Sequence, residues 1–113
     1  MQAFRFHARI LEHRRYFVKY IITLISYDIA EKDAFEYKLL WEKLEAIGAT
    51  KILYSEWVVK GEVGKANDIY SKIAPLTQKK DRLLVQEVLH DAKWDKLLID
   101  DAEFSRLLAL ART

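Results

Sequence analysis

From Lys19 to Asp28 (KYIITLISYD) the chain is an almost unbroken apolar run, rich in Ile and Tyr, that stops on an acid. Such a run offers water no polar face and predicts a strand buried on both sides. Its closing acid falls where the chain leaves the sheet, a place where open α/β sheets bind ligands. The period then changes. Tyr37, Leu40, Trp41, Leu44 and Ile47 recur at the spacing of one helical face, and Asp33 with Glu36 forms a capping-box start. Gly48 supplies a residue suited to the left-handed end of that helix. Ala49 to Lys60 (ATKILYSEWVVK) is β-branched and aromatic and predicts a second strand. Ser55 and Glu56 interrupt its alternation, which predicts a bulge there or a break into two short strands.

Residues 63–74 (VGKANDIYSKIA) predict a second helix with Val63, Ala66, Ile69, Tyr70 and Ile73 inward, ended by Pro75. After a charged turn, Lys79 to Arg82, Leu83 to Leu89 reads as a third main strand. Trp94 to Ile99 fits either one helical turn or a short edge strand. Asp100 and Asp101 then open a C-terminal helix with Phe104, Leu107, Leu108 and Ala111 on one face. Upstream, Phe4 or Phe6, Ile10 and Leu11 give residues 3–15 a weak helical pattern.

The order of elements is that of an α+β, ferredoxin-like βαββαβ sandwich with extra N- and C-terminal helical segments. It divides the chain into a basic extension, 1–18, and a domain, 19–113, carrying the C-terminal helix. Both long helices would lie on one face of the sheet. The other face, with some of its Tyr and Trp side chains, needs cover; a homodimer pairing two sheets is the simplest, with the terminal helices contributing.

Composition narrows this picture only a little. The 113 residues suffice for one domain, and the balance of apolar and charged residues is that of a globular chain. The absence of Cys excludes disulfides and thiolate metal sites and fits a cytoplasmic location. The longest apolar run, Tyr16 to Ala30, is too short to span a bilayer and contains Lys19, and the leading residues lack a signal-peptide cleavage pattern. A membrane partner is therefore not expected. Charge matters more. Residues 1–20 carry a net +4, whereas the remainder, with 14 basic and 16 acidic residues, is net −2. The formal +2 thus says nothing of nucleic-acid binding by the domain itself. The extension could act as a basic arm whose contribution salt would weaken; the favoured reading is an upstream start codon or a solvated helix.

Little in the sequence carries chemistry. Gly48, Gly61 and Gly64 cannot make a phosphate loop, and His7, His13 and His90 have no metal-ligand spacing. No nucleophile elbow accompanies Ser26, Ser55 or Ser71. The pairs Asp91/Asp95 and Asp100/Asp101 read as caps and solvated charges. Asp28 remains. Alone it is a turn residue or a poor metal ligand, since Mg²⁺ wants several oxygens. Two copies meeting near a two-fold axis would share a proton or hold a cation, and a divalent ion there would activate water against a phosphodiester.

Three short motifs, in order, carry a resemblance: Ser26-Tyr27-Asp28-Ile29 closing the first strand, Leu44-Glu45-Ala46-Ile47-Gly48-Ala49 closing the helix, and Tyr54-Ser55-Glu56-Trp57-Val58-Val59 in the second strand. With Lys80-Asp81-Arg82-Leu83-Leu84-Val85, they make residues 19–90 resemble the CRISPR-associated Cas-two proteins and, more closely, their SinR-like relatives, with VapD-type toxin ribonucleases as further cousins. The resemblance implies a ferredoxin-like homodimer in which Asp28 of each copy holds Mg²⁺ or Mn²⁺ and Ser55 is the second catalytic position. It also implies a metal-dependent endoribonuclease or nuclease, a divalent-metal-dependent phosphodiesterase acting on RNA or DNA. On the nucleic-acid side we place Tyr27, Arg82, Lys79 and Lys80. The other activity of the family, bridging integrase subunits during CRISPR spacer acquisition, makes a non-catalytic scaffold or nucleic-acid-binding module the competing expectation. Two features of this chain bear on the choice. Where the family carries basic residues after its first strand, Ala30-Glu31-Lys32-Asp33 is net acidic and repels phosphate. Ser55 also reads simply as a bulge residue satisfied by backbone.

Overall fold

A computed structural model describes residues 20–30, 37–89 and 91–111. The described residues form a four-stranded antiparallel sheet with three α-helices. Strand β1 (Tyr20–Asp28) leads to helix α1 (Lys38–Ala46), then strands β2 (Thr50–Leu53) and β3 (Glu56–Glu62). Helix α2 (Ala66–Ile73) and a 3-10 turn (Ala74–Leu76) precede strand β4 (Arg82–Val88), and α3 (Asp101–Ala111) closes the chain. In space the strands run β2-β3-β1-β4, so the apolar β1 is an inner strand, paired antiparallel on both sides.

The expected strand over 49–60 is broken at Tyr54 and Ser55 into the β2–β3 hairpin, with a register irregularity between Lys51 and Leu53. Polar Ser55 therefore lies in a turn and Glu56 opens β3, one of the two outcomes that the sequence left open. Gly48 does end α1, at φ +87°, a conformation that disfavours a side chain. The proposed capping box, Asp33 with Glu36, and the extension 1–18 lie outside the described residues. Helix α2 begins later than its periodicity suggests, because the chain turns at Gly64 (φ +90°). Val63 thus falls in the turn and is exposed, as is Tyr70; Ile69 and Ile73, one turn apart, carry the buried face instead.

Alternation along β1 splits the core in two. Ile25 and Tyr27 join Trp57 and Val59 of β3 beneath α1 and α2, with Tyr37, Leu40, Leu44 and Ile73 filling the layer. Ile22 and Leu24 point to the opposite face with Val58 and Ile52. The chain covers much of that second face itself. Phe104 and Leu108 of α3 pack there, together with Trp94, Leu97 and Ile99. Residues 94–99 are neither a helical turn nor a strand. Lys96 takes a left-handed φ of 56°, which interrupts both, and a single backbone bond from Leu98 N–H to the Ile52 carbonyl (2.9 Å) ties the segment to the β2 edge. Asp100 caps α3 as its sequence suggests, its carboxylate accepting from Ala102 N–H at 2.8 Å. The need for a second copy to cover this face is correspondingly reduced to the corner around Leu84, which stays 51% exposed. Tyr27 and Trp57 belong to the helix-covered core. No helix among the described residues is long and apolar enough to cross a membrane.

Candidate functional site

Asp28, Ser55, Arg82, Lys79 and Lys80 lie at one end of the sheet. The register pairs Asp28 with Arg82 and Ser26 with Glu56, and Tyr27 N–H donates to the Ser55 carbonyl at 3.0 Å. The rim therefore runs from the β2–β3 turn, across the end of β1, to the start of β4. Asp28 and Arg82 form an open ion pair, Arg82 Nη1 to Asp28 Oδ2 at 3.9 Å, with side chains 77% and 85% exposed. A pair so hydrated and so long contributes little to stability. It leaves both charges available to a ligand. Ser55 is exposed in the hairpin turn, and Lys79 and Lys80 are exposed in the turn before β4.

Tyr27 does not belong to this rim. Its side chain is 2% exposed, and its hydroxyl accepts hydrogen bonds from Trp57 Nε1 (2.9 Å) and Trp41 Nε1 (3.1 Å). The reason is parity: Tyr27 lies two residues from buried Ile25 and shares its face, whereas Asp28 projects on the other. Its place is in the core, where it satisfies two indole donors that burial would otherwise leave unpaired. The nucleic-acid contact assigned to it from sequence is withdrawn.

Asp81 is the residue that sequence reasoning passed over. Its carboxylate accepts from Ala30 N–H (2.9 Å), just beyond β1, from the Tyr37 hydroxyl (3.0 Å), just before α1, and from Gln78 N–H (2.7 Å) in its own turn. Burial pushes the Asp81 carboxyl upward, but the bonds from Ala30, Gln78 and Tyr37 together outweigh it and hold the group below its ordinary value. Asp81 thus fastens the exit of β1 and the entrance of α1 to the start of β4, next to the Asp28–Arg82 pair. Its partners are remote in sequence, and only the Lys-Asp-Arg order hinted at a role.

Among the described residues no group of three or more His, Asp or Glu side chains could hold a metal ion. Asp28 alone offers one hard, exposed carboxylate, the kind of ligand with which Mg²⁺ keeps several of its waters. Asp81, committed to three donors, is not available as a second. Comparison of the chain with protein-family models, with curated proteins and with solved structures found no match.

Proposed function

We propose that the chain is a ferredoxin-like domain of the Cas-two-like kind, acting on RNA or DNA as a homodimeric, metal-dependent nuclease. The strand order β2-β3-β1-β4, antiparallel throughout, is the order that a βαββαβ chain takes in that fold, and it supports the fold half of the reading. The observation that carries the functional half is the exposed Asp28 carboxylate at the end of an inner strand, flanked by Arg82 and by the Ser55 turn.

In this reading Asp28 of two copies would hold one Mg²⁺ or Mn²⁺, which supplies a polarised phosphodiester and an activated water. Arg82 neutralises phosphate charge beside it, and exposed Lys79 and Lys80 extend the cationic side of the rim. Ser55 presents a hydroxyl next to the scissile group. Asp81 keeps the loop ends behind the rim in place. A second reading is a non-catalytic module that binds nucleic acid or bridges integrase subunits, for which Arg82 beside Asp28 offers the phosphate contact without a metal.

The two readings part in one experiment. Mg²⁺ or Mn²⁺ is titrated into the protein with single- and double-stranded RNA and DNA, beside an Asp28→Ala variant of equal fold and mass. The nuclease reading expects cleavage that needs both metal and Asp28. Binding without cleavage selects the module, and cleavage that survives the substitution removes Asp28 from the mechanism.

A further inference from the structure

The most exposed of the large hydrophobic side chains in the described part of the molecule is Tyr54, at 80%, on the tip of the β2–β3 hairpin. A single exposed apolar residue needs no explanation. This one has a context. The turn that carries it is fixed to the end of β1 through the bond from Tyr27 N–H to the Ser55 carbonyl. The hairpin and the start of β4 stand on either side of β1, so Tyr54 and Arg82 lie at the same end of the sheet, with Lys51 on the α1 face beside Trp41 and Arg82 paired with Asp28 on the opposite face. Lys51 Nζ lies 5.8 Å from the Tyr54 ring centroid and 5.8 Å from that of Trp41. An exposed aromatic ring with an ammonium against it is how proteins hold an unpaired base together with its phosphate.

We infer that Tyr54 and Lys51 form a stacking subsite for one unpaired base of a single-stranded nucleic acid that reaches this end of the sheet. A duplex hides its base faces and cannot use the ring, so the subsite discriminates by strandedness rather than by base identity. The inference rests on the reading of this rim as facing nucleic acid, and goes beyond it by naming a residue and a substrate form.

The test is fluorescence anisotropy with a labelled single-stranded oligonucleotide and its duplex, both without divalent metal, at several salt concentrations. Loss of one stacking partner is expected to weaken single-strand binding by Tyr54→Ala about tenfold, with duplex binding unchanged. Tyr54→Phe keeps the affinity. Lys51→Gln lowers the salt dependence by about one phosphate contact. Thermal melting of the Tyr54 variants should match the parent, because that side chain is 80% exposed. Equal single-strand affinity in Tyr54→Ala, or an equal loss on both forms, overturns the subsite while leaving the rim's nucleic-acid role standing. A parent protein that binds neither form at about 50 mM salt refutes that role and the subsite together.

Discussion

The two faces of the sheet are closed by different means. On one, α1 and α2 lie over Ile25, Tyr27, Trp57 and Val59, and the layer includes a buried polar centre where one tyrosine oxygen serves two indoles. On the other, a single helix and an irregular segment cover Ile22, Ile52 and Val58 and leave Leu84 open. A face sealed by two helices and fixed polar partners specifies one packing; a face covered by one helix and an irregular segment has fewer constraints and a free corner. The difference also separates structure from function. The functional candidates sit on the rim where the open corner meets the end of β1, whereas Tyr27, one residue away, belongs wholly to the sealed side.

That contrast can be broken most severely from the sealed face. Leu44→Ala should cost about 3–4 kcal/mol, read in a denaturant titration, while Leu108→Ala on the other face should cost about 2. Equal losses would mean that the two faces are equally constrained. Next in size is Tyr27→Phe, which keeps the ring but strands two indole N–H groups; about 2 kcal/mol should be lost. A neutral outcome would show that the indoles find other acceptors.

Asp81→Asn sharpens the boundary between the faces and should cost about 1–2 kcal/mol at neutral pH. Its pH dependence has a defined sign. The carboxyl titrates lower in the folded chain than in the unfolded one, so its contribution is complete above the ordinary carboxylate value near 4 and is lost as pH falls through the folded value. The Asn variant should therefore show a shallower acid limb, and an unchanged limb would remove Asp81 as a latch. The smallest effect belongs to the rim itself. Asp28→Ala should change stability by less than about 0.5 kcal/mol, since its ion pair is long and hydrated. A larger loss would make Asp28 a structural residue.

Much of the scaffold was legible because its cues are local. The apolar run of β1, the polar interruption at Ser55–Glu56 and the glycine after α1 each act within a few residues. Face assignment along β1 was equally legible: parity with Ile25 places Tyr27 in the core, and the motif order around Asp28 drew attention away from it. The irregular segment was not, because Trp94, Leu97 and Ile99 fit no period; their positions follow from packing on the sheet and from Lys96's left-handed backbone. Asp81 was the least legible. Two of its three partners lie 44 and 51 residues away, so no window of sequence contains the clasp.

The central claim is that Asp28 carboxylates from two copies hold one divalent ion, and Mn²⁺ titration followed by electron paramagnetic resonance addresses it without requiring catalysis. The account predicts one bound ion per two chains, lost in an Asp28→Asn variant of unchanged melting temperature. Mn²⁺ that binds the variant as it binds the parent, or fails to bind the parent, would contradict it.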